Sequence, residues 1–374
     1  MNSRTLTVPN YHPRQIEPHH MTTLQWHHSI WISTELSAIH RTSSFTSTSI
    51  QPNHTSYSVY YAYNILNTSI STQFQHPNKS PTTMRLAHLH LPNITPFTRV
   101  SHIQETLTSR LLAYKKHPNP ASSSPNARPT PPDPTIITFT PNPVYTTGRR
   151  DLPPSNTPPQ SQTAPLSLPP PLEPIRPLLT SYPSGKAIAD YHPTLRGGQT
   201  TYHGPGQMVG YTILDLRRLG LTPRCHIRVL ENSVVDVLRS YGVRGVITED
   251  PGVWVPSGSG SGSGGSGSGR VRAAKKITAV GVHLRRNISS FGIGFNVTEE
   301  PMWYFRQIVA CGLEGREATS LEGVGVKGVG VDEVADRFVA AFVERVNRDF
   351  ACDQGGRLGE RIESVYRIGE EDVD

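Results

Sequence analysis

The sequence predicts an α/β domain of the mixed-sheet, α+β kind, and three observations carry that reading. Apolar residues recur at helical spacing in three places: Ile103, Leu107 and Leu111; Ile227, Leu230, Val234, Leu238 and Tyr241; and Val334, Phe338, Phe342 and Val346. Such spacing lines them up on one face of a 3.6-residue helix. Strand-like runs lie between them, at Thr135–Thr140, Met208–Leu214, Gly252–Val255, Ile277–Leu284 and Gly294–Val297. Helices and strands then follow one another without a strict strand–helix–strand repeat, which disfavours a doubly wound parallel sheet.

In chain order, residues 1–83 hold two acidic and four basic residues in a background of Ser, Thr, His, Asn, Pro and Gln. Without sustained apolar periodicity they bury too little to offset their ordering entropy, so the expectation is an unstructured leader or a targeting segment. Met84 opens a more ordinary sequence, and the expected folded domain covers residues 84–352. Twenty of the 34 prolines fall between Pro118 and Pro183, and the stretch of about 153–183 reads as a surface insertion of polyproline character. Pro223 before the second helix and Gly242 after it are start and stop signals. The run Ser257–Gly269 contains only Ser and Gly and reads as a flexible loop. Thr298 and Pro301 open a short helix expected to end near Ile308, and residues 353–374 read as a polar tail.

Composition narrows the class. The chain has 374 residues, 35% hydrophobic and 17% charged, with 3 Cys and a formal charge of +7. Apolar residues with Gly included reach about 43%, below the roughly 45–50% of a chain folded throughout, so one good core is expected. Three cysteines exclude a disulfide scaffold and point to a reducing compartment. No run of 18 apolar residues exists, so no spanning helix is expected. The basic excess is too diffuse to argue for nucleic acid, and neither CxxC, HExxH nor a Walker loop occurs, so no metal or P-loop nucleotide site is expected.

The densest chemical signal is Arg196-Gly-Gly-Gln-Thr-Thr-Tyr-His-Gly-Pro-Gly-Gln207. Backbone N–H groups in such a turn, beside a guanidinium, can hold a carboxylate, phosphate or carbonyl oxygen, although a hairpin whose turns simply need Gly and Pro has the same composition. Cys311, in Ile-Val-Ala-Cys-Gly, could take an acyl group from a thioester, an exchange that is nearly isoenergetic. It would need a cation nearby to lower its pKa; a cysteine beside Gly is also, commonly, a small buried hydrophobe. Lys276 opens an apolar strand, where partial desolvation would lower its own pKa, and a solvated strand-end lysine is the plain alternative. His203 titrates in a useful range but is one of sixteen histidines.

The dodecapeptide resembles the signature of the lipoyl(octanoyl) transferase family. Asn142-Pro-Val-Tyr-Thr-Thr-Gly-Arg149 looks like that family's preceding element. Gly252-Val-Trp-Val255, Lys276-Ile-Thr-Ala-Val-Gly281, Gly292–Val297 with Asn296, Ile308-Val-Ala-Cys-Gly312 and Thr319-Ser-Leu321 are similar to its later ones, in order over roughly residues 90–350. The resemblance implies a biotin/lipoate protein ligase-like catalytic domain that transfers an octanoyl group from octanoyl-acyl carrier protein to a lysine of a lipoyl domain. It makes Cys311 the nucleophile and Lys276 the general base and stabiliser of thiolate and oxyanion. Arg196, Gly197, Gly198, Gln199, Thr200, Thr201, Tyr202, His203 and Gly204 would bind substrate, together with Val280, Gly281, Gly292 and Gly294.

The same resemblance implies no cofactor and no metal. The implied partners are acyl carrier protein, the lipoyl domains of 2-oxoacid dehydrogenase complexes and glycine cleavage H protein, with no nucleic acid and no membrane. With the acid-poor leader it points to mitochondria. Arg149, Arg150, Arg217 and Arg218 are candidate docking charges for acidic partners, or simply a solvated basic face. Two departures stand out: Ser290-Phe-Gly292 where a His commonly precedes that Gly, and Ala310 in place of a Pro before the nucleophile. An ATP-dependent lipoate or biotin ligase, or a non-catalytic paralogue, are the competing readings; Cys311 and Lys276 argue against both.

Overall fold

Strand alternation and three amphipathic helices build the core as the apolar spacing requires. The computed structural model describes residues 82–116, 130–152, 167–180, 187–256, 274–309, 315–350 and 359–373, all within one compact unit, Pro77–Asp374. Residues 1–81 of the leader, the Ser/Gly run 257–269 and Cys311 lie outside the described residues.

In order, the elements are β1 (Thr83–Thr95), α1 (Phe97–Lys116), β2 (Thr135–Pro141), β3 (Val144–Thr147), α2 (Arg176–Leu179), β4 (Asp190–Pro193), β5 (Thr201–His203), β6 (Gln207–Ile213) and α3 (Pro223–Ser240). Then follow β7 (Val246–Ile247), β8 (Gly252–Pro256), β9 (Ala274–Arg285), β10 (Ile288–Asn296), α4 (Glu300–Phe305), α5 (Val331–Asp349) and β11 (Arg361–Ile368). Eight strands form one sheet in the order β11-β1-β2-β6-β10-β9-β8-β7, and three form a small one in the order β4-β3-β5. The large sheet is mixed: β1 runs parallel to both β11 and β2, whereas β2–β6, β6–β10, β10–β9, β9–β8 and β8–β7 are antiparallel.

Period-2 alternation sends neighbouring side chains to opposite faces. Ile136 and Met208 enter one core, with Leu230, Val234 and Leu238 of α3 and Phe338 and Phe342 of α5. Ile137 and Val209 enter the other, with Val100, Ile103, Leu107 and Leu111 of α1. The start of α3 is fixed by Thr222, whose Oγ1 accepts from the Cys225 N–H at 3.2 Å, with Pro223 at the first helical position. Past its end Gly242 takes the left-handed turn, φ +74°, as that stop signal requires. Asp332 and Glu333 sit in the first turn of α5, where acidic groups suit the helix dipole.

Three expectations need correction. Residues 353–374 are not merely a polar tail: β11 adds a parallel edge to the sheet, from Thr83↔Arg361 to Leu89↔Ile368. Asn347 pins it, accepting from the Ile362 N–H at 2.9 Å and donating to the Ile362 carbonyl at 2.8 Å. The domain therefore runs past 352. The proline-rich insertion is not wholly a surface feature either, because Leu168, Leu172, Ile175 and Leu179 form a third core with Tyr145 and Tyr202. The helix expected to reach Ile308 stops at Phe305.

Candidate active site

The signature loop closes over the sheet where β9 and β10 carry their glycines. It crosses from β4 to β5, and its backbone is tied to its surroundings at each step. The Arg149 N–H donates to the Arg196 carbonyl at 2.9 Å, and the Gly197 N–H donates to the Val282 carbonyl of β9, also at 2.9 Å. Asp151 takes both the backbone N–H and the hydroxyl of Thr200, each at 2.7 Å. Gly148 must be glycine, since a Cβ there would lie 2.3 Å from the Gly198 carbonyl oxygen.

Beneath the loop is a cavity of about 380 Å³. Arg196, Gly197, Gly198, Gln199, Thr201 and His203 wall it from above, and Lys276, Val280, Gly281, Gly292 and Gly294 wall it from the sheet. Tyr211, Ile227, Val282, Phe291 and Ile293 supply its apolar surface. A smaller annex shares Thr201, His203, Lys276, Ala279 and Gly294 with it and adds Trp254, Asn296, Phe305 and Arg316–Ala318. The geometry is that of a pocket for a short apolar chain, with polar groups gathered where the two compartments meet.

Most of the expected binding residues therefore meet in one place, but not all in the expected role. Arg196 lines the cavity, yet its guanidinium is engaged by the protein, with Nη2 donating to both the carbonyl and the hydroxyl of Thr146 at 2.9 Å. It clamps the loop to β3. Thr200 holds the loop through Asp151 and does not line the cavity. Tyr202 lines the annex while its ring turns into the third core, stacked on Tyr304 at 4.2 Å between centroids, with Gly204 packed against it. Thr201 is buried and its hydroxyl has no hydrogen-bond partner among the described residues. His203 is buried too, and burial, then the Arg196 charge, hold its imidazole down at about 3. A Cβ at residue 294 would come within 2.7 Å of that ring, so Gly294 makes room for it.

Lys276 is half-buried near the start of β9. Its ammonium donates to the Pro251 carbonyl at 3.1 Å and lies 4.7 Å from the centre of the Trp254 ring, which Arg316 also overlies at 5.1 Å. Its backbone is bridged to the chain that follows Cys311: the Lys276 N–H donates to the Glu317 carbonyl at 2.8 Å, and the Thr319 N–H donates to the Lys276 carbonyl at 2.9 Å. Pro251 and Trp254 belong to this site, although the sequence offered Trp254 only as part of a strand and did not mark Pro251. Phe291 is a second addition, held at φ +60° with its N–H donating to Gln104 Oε1 at 2.6 Å. A bulky residue in that region is strained, and it sits on the cavity wall.

The rim is basic. Arg149, Arg150 and Arg285 are exposed, and Arg150 reaches the cavity. His283 is shifted below the usual imidazole range by burial first and then by Arg149 and Arg285. Arg218 is not part of that rim: it makes a two-pronged pair with Glu360 at 2.8 and 2.9 Å. No cluster of metal-ligating side chains occurs among the described residues, and none of their helices is long and apolar enough to cross a membrane.

Residues 174–343 match the family model described as lipoyl protein ligase A/B catalytic domain. A probable octanoyltransferase of Schizosaccharomyces pombe is 34% identical over 234 residues, 62% of this chain and 83% of that protein. A mitochondrial octanoyl-acyl-carrier-protein:protein N-octanoyltransferase of Xenopus tropicalis is 36% identical over 156 residues, 42% of this chain and 58% of that protein. Among solved structures, a bipartite lipoate protein ligase from Thermoplasma acidophilum is 14% identical, with a TM-score of 0.41 over 78% of this chain and 90% of that one. The octanoyltransferase relatives define the chain as an enzyme of the acyltransferase class. Within that class the chain belongs to the lipoyl/octanoyl transferase family.

Proposed function

We propose that this enzyme transfers an octanoyl group from octanoyl-acyl carrier protein to a lysine of lipoyl domains, through a thioester on Cys311. The observation that carries the reading is the position of Lys276. Its ammonium stands at the junction of an apolar cavity and the annex lined by Phe305 on one side of Cys311 and Arg316–Ala318 on the other. Described residues on both sides of Cys311 in the sequence thus line the compartment that Lys276 lines.

In the first step the Cys311 thiolate attacks the carbonyl carbon of the octanoyl thioester. A new C–S bond forms, the carrier C–S bond breaks, and the carrier thiolate leaves and takes up a proton. In the second step a neutral lysine amine of the acceptor attacks the same carbonyl carbon. The C–N bond forms, the Cys311 C–S bond breaks, and the amine's proton passes by way of Lys276 to the departing sulfur. Lys276 in its charged form steadies the thiolate and the developing oxyanion. Each methylene of the acyl chain buried against Tyr211, Ile227, Phe291 and Ile293 adds about 0.8 kcal/mol of binding.

The acceptors in this reading are lipoyl domains of 2-oxoacid dehydrogenase complexes and the glycine cleavage H protein, with Arg149 and Arg150 at the rim to meet acidic partners. The setting proposed is the mitochondrion, supported by the acid-poor leader and by the mitochondrial relative. Intact-mass measurement after incubation with octanoyl-acyl carrier protein is the test. An octanoyl adduct that hydroxylamine removes, and that Cys311→Ser does not form, is expected. Acyl transfer that requires ATP and free octanoate would reject the thioester route in favour of a ligase.

A further inference from the structure

Four hydrogen-bonded groups run from the cavity to the backbone beside Lys276, and their order fixes every proton. The far end is the Thr319 carbonyl, which can only accept. It receives the Asn296 amide N–H at 2.8 Å. The Asn296 Oδ1 must therefore face the other way, where it accepts from the Gln207 Nε2 at 2.6 Å. That leaves the Gln207 Oε1 facing His203, 3.2 Å from Nδ1. An amide oxygen only accepts, so Nδ1 carries the hydrogen. Gln207 and Asn296 are 1% and 3% exposed, so water does not readily substitute for either partner.

We propose that Gln207 and Asn296 are positioning residues that hold His203 as its Nδ1–H tautomer, leaving a lone pair on Nε2 for a hydrogen-bond donor in the cavity. Nε2 has no partner among the described residues, and the ring lines both the cavity and its annex. Burial keeps the imidazole neutral well below physiological pH, so Nε2 orients a donor and does not take its proton. On the reading above, that donor is an N–H of the acceptor lysine, and Lys276 remains the group that moves protons. The chain has a second consequence. The Leu321 N–H donates to the Asn296 carbonyl at 3.1 Å, so the same asparagine that sets the tautomer also anchors the segment returning from Cys311.

Two-bond ¹H–¹⁵N correlation spectra of ¹⁵N-histidine-labelled protein read the tautomer directly, with the His203 signal assigned by its loss in His203→Gln. Wild type is expected to show Nδ1–H. Asn296→Leu removes the oxygen that fixes the Gln207 amide, so that amide can turn either way. It is expected to break the chain, give a mixture of tautomers and lower kcat at least tenfold with KM for the acyl donor within twofold. Gln207→Glu keeps the acceptor facing Nδ1 and is expected to retain the Nδ1–H signal, so it serves if Asn296→Leu does not fold. An Nε2–H signal in wild type, loss of the Nδ1–H signal in Gln207→Glu, or wild-type spectra and kcat in Asn296→Leu, would overturn the proposal. Because the spectra are taken without substrate, a missing octanoyl adduct rejects the octanoyl reading and leaves the tautomer result standing on its own.

Discussion

The two sheets of this molecule are held together by different physics. The large one is a packing solution: Phe338, Phe342, Leu230 and Ile136 on one face and Val100, Ile103 and Phe139 on the other are buried to within a few per cent. The small one, with the loop it supports, is a close-approach solution. Gly148 meets the Gly198 carbonyl, Arg196 is threaded onto Thr146, and Asp151 ties down Thr200. The first resists change of volume, and the second resists addition of single atoms. Stability should therefore reside mostly in one and substrate geometry mostly in the other.

Four changes test that division. Phe338→Ala should have the largest effect on folding, about 3–5 kcal/mol in denaturant titration, because it opens a cavity between α5 and the sheet. Its residual folded fraction should retain near-normal KM. Gly148→Ala should cost less in stability, about 1–3 kcal/mol from local overpacking. It should instead lower kcat/KM by more than tenfold, since the added methyl pushes the 196–199 loop. Equal losses of stability from both would erase the contrast.

Buried histidines sample both regions. His88 in β1 and His203 in β5 are each held at about 3, and His226 in α3 at about 4, in every case mainly by burial. Unfolded, each titrates near 6.5, so below that pH the unfolded chain binds protons that the folded one refuses. Their contribution is intact above pH 6.5 and is lost as pH falls from there toward 4. Each should remove about 1.4 kcal/mol of stability per pH unit in that window. Urea midpoints at pH 7.5 and 5.5 measure the sum, and replacing His226 by Gln should flatten the slope. The smallest effect concerns selectivity. Phe291→Gly relieves the positive φ and deepens the cavity, and should shift preference toward longer acyl chains by about fourfold per added methylene. Competition between octanoyl and decanoyl donors reads it.

The same contrast explains what the sequence could reveal. Apolar periodicity announced α1, α3 and α5 and the strands between them, because packing against a sheet needs a continuous stripe. β11 escaped notice: as an edge strand it buries only Ile362 fully, and Arg361, Glu363 and Arg367 look like a solvated tail. Leu172 and Ile175 were concealed among prolines, whose PPII and 3₁₀ geometry carries no helical or strand period. The cavity wall was legible through the dodecapeptide and Lys276. Trp254, Phe291 and Gln207 were not marked as site residues, since their roles arise from contacts between strands far apart in sequence.

In the proposed reaction Lys276, held by Pro251 and Trp254, serves the acyl transfer in this cavity. Single-turnover acylation of Lys276→Met by octanoyl-acyl carrier protein, followed by intact mass, tests it most directly. Adduct formation slowed at least a hundredfold, in a variant whose thermal unfolding matches wild type, is the expected result. Acylation and deacylation at wild-type rates without that ammonium would contradict the account.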